Sequence, residues 1–194
     1  MVTINSVLPA DTDKVAQIIT EAFANDPTWT WAFPDTASQK IFWRFFVNST
    51  FRHPHVIATE GFEAVALWVP PYGDELSEED EQKLPALLDE LAANRASKIL
   101  KLMEMFDQHR PKDKPHYYLS LLATQNQRRG KGLGISLLKA CLDKIDLEHL
   151  PAYLESTNSQ NNKRYESVGF EEISRFQAPD NGPTVTCMWR KACT

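Results

Sequence analysis

The stretch Tyr117-Tyr118-Leu119-Ser120-Leu121-Leu122-Ala123-Thr124-Gln125-Asn126-Gln127-Arg128-Arg129-Gly130-Lys131-Gly132-Leu133-Gly134-Ile135 decides the fold. Its first eight residues are a near-continuous apolar run rich in β-formers, which reads as a buried strand. A glycine-rich turn follows, and from Leu137 the apolar residues Leu137, Leu138, Cys141 and Ile145 fall on one side of a helix. A strand that opens through glycines directly into a helix puts unpaired backbone amides at the positive end of a helix dipole, a site for phosphate. Glycine lets the backbone approach closely and take positive φ. Arg128, Arg129 and Lys131 add positive charge to the same place. A turn merely tightened by glycines is the bland alternative, and the adjacent cations argue against it.

Two other phosphate-binding patterns do not fit. A P-loop needs G-x-x-x-x-G-K-[ST], and here Lys131 is followed by Gly132 with no hydroxyl to hold magnesium. A dinucleotide fingerprint needs G-x-G-x-x-G after an early strand, whereas Gly130-x-Gly132 is followed three residues later by Ile135, late in the chain.

Outward from this centre, the N-terminal side reads as helices and a hairpin. Asp11 or Thr12 is expected to cap a first helix whose apolar face is Val15, Ile18, Ile19, Ala22 and Phe23. An aromatic segment follows from Pro27 to Pro34, then a helix over about Ala37 to Phe51. The latter carries Phe42, Trp43, Phe45 and Phe46, more aromatic surface than one buried stripe needs, so the surplus is expected to line a pocket. Residues 55–59 and 64–69 read as a hairpin around Glu60-Gly61, and residues 77–109 as helical, with Glu78, Glu79 and Asp80 in the dipole-favoured first turn. C-terminal to the centre come a strand at Ala152–Ser156, a short helix near Gln160–Val168, a strand from Phe170 and a last strand at Thr184–Arg190. Helices, hairpin, helix, strand, turn, helix, strand, helix and strands in that order indicate an α/β sandwich of mixed sheet.

The 194 residues, 42% of them apolar, suit one domain. A net charge of -5 gives no general attraction to nucleic acid or anionic lipid. The start lacks a cationic region followed by an apolar run, and no stretch approaches the roughly 20 apolar residues of a membrane span, so a cytoplasmic protein is expected. Three cysteines without C-x-x-C spacing and five scattered histidines, His53 and His55 included, indicate neither a disulfide framework nor a metal site.

Arg129-x-x-Gly132-x-Gly134 resembles the acetyl-CoA pyrophosphate loop, [QR]-x-x-G-x-[GA], of the GNAT acetyltransferase superfamily. Downstream, Tyr153-Leu154-Glu155-Ser156-Thr157-Asn158, then Asn161, then Tyr165-Glu166-Ser167-Val168-Gly169-Phe170 are similar to that family's second signature, in the same order. The C-terminal half looks most like puromycin acetyltransferase-like members, through His109-Arg110-Pro111-Lys112, Tyr118-Leu119, Gly130 to Gly134, Leu154-Glu155, Tyr165-Glu166 and Cys187-Met188. Asn126 departs from the proline usual before the loop.

The resemblance implies a GNAT-like, mainly antiparallel mixed sheet with helices on both faces. Residues 1–112 would be mainly the acceptor side of one acetyltransferase domain, and 113–194 the acetyl-CoA-binding core. It also implies acetyl-CoA as co-substrate, no metal, and direct transfer to a primary amine of a small molecule by a monomer or homodimer. Leu122, Ala123 and Thr124 would bind pantetheine through their backbone. Arg129, Gly130, Lys131, Gly132, Leu133, Gly134 and Ile135 would hold the diphosphate. Asn158 and Asn161 would reach pantetheine or the adenosine side, with helix capping as the alternative. Tyr165 matches the family tyrosine near the CoA sulfur and would protonate the departing thiolate; a packed aromatic is the alternative. Glu155 would be the base, or else only fix loop amides or Tyr165; Glu60 and His116 are the fallback bases. A non-catalytic acyl-CoA sensor and a peptide or protein N-acetyltransferase are the competing functions.

Overall fold

The computed structural model describes residues 3–193, and its centre is a seven-stranded sheet in the order β1-β2-β3-β4-β5-β7-β6. The strands are β1 (Ile4–Ser6), β2 (Val56–Thr59), β3 (Ala64–Val69), β4 (Tyr117–Thr124), β5 (Ala152–Ser156), β6 (Glu171–Gln177) and β7 (Thr184–Arg190). Every neighbouring pair is antiparallel except β4 with β5. That parallel pair needs a crossover, and α6 (Leu133–Asp146) supplies it directly after the glycine-rich turn.

All six residues of β3 are buried, so both faces of the sheet are covered. Val65, Leu67 and Val69 join one apolar cluster with α1 (Thr12–Phe23), α3 (Thr36–Thr50), α4 (Glu78–Ala92) and α5 (Ala96–His109). Ala64, Ala66 and Trp68 join the other with Leu137, Leu138, Cys141, Leu142 and Ile145 of α6, the face its periodicity predicts. The expected mixed sheet with helices on both faces is therefore the observed architecture.

Three local readings change. Neither Asp11 nor Thr12 caps α1 through an accepting side chain: Pro9–Asp11 forms a single 3-10 turn and the Thr12 hydroxyl instead donates to Pro9 O at 2.7 Å. The aromatic segment contains a helix of its own, α2 (Pro27–Ala32), whose N-cap Asp26 accepts from the amides of Thr28 at 2.9 Å and Trp29 at 3.3 Å. Proline at the first helical position fits because its missing N–H has no partner to lose there. The helical reading of 77–109 resolves into α4 and α5, broken at Ala93, which takes φ 40°. Ser77 caps α4, its hydroxyl accepting from Asp80 N at 3.1 Å, with the expected acidic residues in the first turn.

Candidate active site

The site begins where β4 and β5 part. Their ladder runs only through Tyr117↔Ala152 and Tyr118↔Tyr153, so from Leu119 to Thr124 the β5-facing edge of β4 has no paired strand. On its other edge β4 stays paired with β3 to Thr124, with one irregularity: Leu67 faces Leu121 and Trp68 faces Leu119, which leaves Ser120 as an extra residue. A bulge of this kind re-aims a side chain. Ser120 uses it to donate its hydroxyl to Glu75, far away in sequence.

Two cavities open in this wedge. The first, a cleft, is lined by Thr124, Arg128, Arg129, Gly130, Gly132, Leu133, Gly134 and Ile135, with Asn158 and Asn161 opposite. Gly132 is the left-handed residue, φ 73°, on which α6 starts, and Gly130 also has positive φ at 78°. No side chain caps that N-terminus, so its amides stay open to the cleft. At Gly134 a Cβ would lie 2.6 Å from the Thr124 hydroxyl, so even the alanine that the loop pattern allows there requires that hydroxyl to shift. Main chain, strand end and helix start are thus brought together as a cradle that fits a diphosphate, with Arg128 and Arg129 on its rim. The Arg129 guanidinium donates to Ala22 O, and Asn126, in place of the usual proline, donates to Glu21 O at 3.1 Å, so both tie the loop to the end of α1.

The second cavity is built from side chains. Phe23, Trp29, Phe42, Trp43, Phe46, Met103 and Phe106 give it apolar walls, and Glu75, Tyr118, Ser120 and Glu155 give it a polar end. The rings interlock: Trp29 meets Trp43 edge-on at 4.6 Å between centroids and Phe42 at 5.7 Å. Of the aromatics on α3, Phe42, Trp43 and Phe46 line this cavity and Phe45 does not. The two cavities share Phe23, Leu122, Asn161 and Tyr165.

Tyr165, on the short helix α7 (Asn162–Glu166), stands at that junction. Burial pushes its phenol up to about 12, and the negative charge of nearby Asp26 adds to the effect, so the hydroxyl keeps its proton at neutral pH. Glu155 lies at the end of β5, opposite Cys187 of β7. Its Oε1 is buried without a hydrogen-bond partner among the described residues. Burial first, with the Glu75 charge adding to it, raises this carboxyl to about 8 against the pull of the Tyr153 and Tyr118 hydroxyls. A carboxyl in that range can both accept and release a proton near neutral pH.

Not every predicted residue faces the cavities. The Ala123 side chain is buried in the core on the α1 side, and the exposed Lys131 does not line the cleft. Asn158 caps a 3-10 turn by accepting from Gln160 N at 3.0 Å, and Asn161 accepts from Arg164 at 2.8 Å, so both have structural partners while lining the cleft. His116 is packed between Tyr153 and Trp189, receives a hydrogen bond from Arg110 Nε at 3.3 Å, and lines neither cavity. Burial lowers its pKa. Glu60 lies at the hairpin and lines neither cavity.

Two residues of this region went unremarked in the sequence. Glu75 sits in the turn after β3, and only the fold brings it opposite Glu155. Asp26, 5% exposed, accepts the Thr157 hydroxyl at 2.8 Å while capping α2, and so staples the aromatic helix to the end of β5. The Asp26-Pro27 pair was a readable helix-start signal; Glu75 had none.

Residues 88–190, more than half of the chain, match the family model described as the acetyltransferase (GNAT) domain. The chain belongs to that family and is an acyltransferase; GNAT acetyltransferases use acetyl-CoA. Solved structures agree on the fold. A histone acetyltransferase HPA2 and related acetyltransferase from Corynebacterium glutamicum is 24% identical, covering 100% of this chain and 98% of its own, with a TM-score of 0.73. Arylalkylamine N-acetyltransferase 2 from Aedes aegypti is 16% identical over 99% of both chains, with a TM-score of 0.67. The ribosomal-protein-S18-alanine N-acetyltransferase from Escherichia coli is 18% identical over 100% of this chain and 96% of its own, with a TM-score of 0.57. No helix among the described residues is long and apolar enough to cross a membrane.

Proposed function

We propose that this chain moves the acetyl group of acetyl-CoA directly to a primary amine of a small molecule. The observation that carries the reading is the meeting of an amide-lined cleft and an acidic, aromatic cavity at one tyrosine, Tyr165. In this reading the diphosphate rests on the amides of Arg129–Ile135 beside the rim cations Arg128 and Arg129, and pantetheine runs along the unpaired edge of β4 at Leu122–Thr124 as an added strand would. The thioester then lies beside Tyr165. Residues 113–194 supply most of this half, and residues 1–112 most of the acceptor walls, within one domain.

The chemistry has three needs: a neutral amine, a donor to the carbonyl oxygen, and a proton for the thiolate. Glu155 takes one proton from the acceptor's ammonium. The freed amine attacks the acetyl carbonyl, whose oxygen is polarised by a free main-chain amide of β4; the C–N bond forms and the C–S bond breaks. Tyr165 gives its proton to the departing sulfur and regains one from the nitrogen, whose single surplus proton this is, so that a neutral amide and a neutral thiol result. The likeness of the C-terminal half to puromycin acetyltransferase-like enzymes supports the pairing of Glu155 with Tyr165 and carries no acceptor with it. The aromatic walls of the second cavity favour a compact acceptor over a peptide laid in an open groove.

The test is purified protein with acetyl-CoA and a panel of amines and short peptides, followed by release of free thiol. Turnover with small amines is the expected result. Turnover with peptides alone would place the acceptor elsewhere, and binding without turnover on any acceptor would make the chain a sensor.

A further inference from the structure

The turn between β3 and α4 is held from two sides. Arg52 donates to the main-chain oxygens of Asp74, Glu75 at 3.2 Å and Leu76 at 2.7 Å. Arg110 donates to Gly73 O at 3.2 Å while its guanidinium lies 4.7 Å from the centre of the Tyr118 ring. Both clamps act on backbone, and they leave the Glu75 side chain to enter the aromatic cavity, where Ser120 of the β4 bulge donates to Oε1. The same cavity is lined by Glu155, on which the Glu75 charge acts and whose Oε1 is buried and unpartnered among the described residues.

Two half-hidden carboxyl groups in an apolar cavity are costly unless something compensates them. The arginines do so only in part, because their donors are spent on backbone oxygens and on His116. A group bearing three N–H donors and one positive charge would satisfy both carboxylates at once. Resting on the acceptor reading above, we infer that Glu75 and Glu155 together grip the ammonium of an acceptor whose flat apolar body lies against Trp29, Phe42 and Phe106. Glu75 is then the residue that selects a cation, and Glu155 the one that takes its proton. The pair repels a carboxylate placed next to the amine, so simple arylalkyl amines are accepted and the corresponding free amino acids are refused.

The experiment is calorimetric titration of protein saturated with CoA, using 2-phenylethylamine, 2-phenylethanol and phenylalanine as probes. For the native chain the amine binds about tenfold or more tightly than either other probe, the scale of one hydrogen bond to a charged group. Glu75→Gln erases the preference of amine over alcohol and changes the affinity for the alcohol less than about threefold, since a merely structural role would weaken both alike. Glu75→Asp retains the preference with a weaker amine, and it carries the test if the glutamine variant loses cooperative unfolding. Equal affinity of the native chain for amine and alcohol, no uptake of any probe, or an undiminished amine preference in Glu75→Gln overturns the inference. Failure to take up CoA overturns the transferase reading instead, and the same amine titration on the free protein still decides the role of Glu75.

Discussion

The two cavities that meet at Tyr165 are made of different material. Much of the cleft comes from one continuous stretch, Thr124 to Ile135, with three glycines in it, and the end of α1, Asn158, Gln160, Asn161 and Arg164 complete its wall. The aromatic cavity is walled by side chains drawn from α1, α2, α3, α5, β4, β5 and the turn after β3. A main-chain site accepts the same phosphate groups whatever the surrounding side chains, whereas a side-chain site changes its ligand with each substitution. One half should therefore break through backbone changes, and the other through single functional groups.

The largest effect is expected at the junction itself. Tyr165→Phe should lower kcat by roughly 10²-fold or more, the usual contribution of a positioned proton donor, with acetyl-CoA affinity almost unchanged by calorimetry. Full activity in that variant would remove the tyrosine from the chemistry. Next comes Glu155→Gln, with about a hundredfold loss of kcat at neutral pH. The native rate should climb as pH rises through about 8, where the carboxyl ionises, and the variant's residual rate should lack that climb.

The same carboxyl gives a smaller effect on stability. Its folded pKa lies above the unfolded value of 4.5, so the native state holds the proton more tightly, and the resulting stability is full below about 4.5 and lost as pH rises through about 8. Glu155→Gln escapes that loss. Its thermal midpoint should gain on the native protein between pH 5 and pH 9, and a gap independent of pH would contradict the buried, proton-holding state. Smallest of the four is Asp26→Ala, which removes an α2 cap, the tie to Thr157 and a carboxyl on the cleft wall: about 1–2 kcal/mol of unfolding free energy by denaturant titration, with acetyl-CoA affinity falling by less than the stability. An acetyl-CoA affinity that falls as far as the stability would mean that the two cavities are not separable.

The same contrast explains what could be read in advance. The cleft was legible because its determinants are local: a strand, glycines at positive φ, a helix start and a downstream Leu-Glu and Tyr-Glu signature all lie within one stretch of the chain. Apolar patterning likewise placed α3, β3, β4 and β7 close to their observed bounds and identified the buried face of α6. The break between α4 and α5 was not legible, because Ala92-Ala93-Asn94 contains no glycine or proline and the turn rests on an alanine in an unusual conformation. β1 is three residues long and gains its identity only by pairing with β2. Glu75 was hidden for a related reason. In sequence it is one acid among Asp74, Glu75, Glu78 and Glu79, and only two arginine clamps and the Ser120 bulge separate it from its solvated neighbours. Glycine loops announce themselves; a cavity wall assembled from distant turns does not.

The account rests on the amides at the start of α6 holding a thioester carrier's diphosphate, and the most direct measurement is titration of acetyl-CoA into the native chain and into Gly132→Val. Valine at φ 73° strains the turn by roughly 1–2 kcal/mol and sets a branched side chain over the amides, so saturable one-to-one uptake by the native chain should weaken about tenfold or more in the variant. Absence of uptake by the folded native protein, or equal affinity in a folded Gly132→Val, would contradict it.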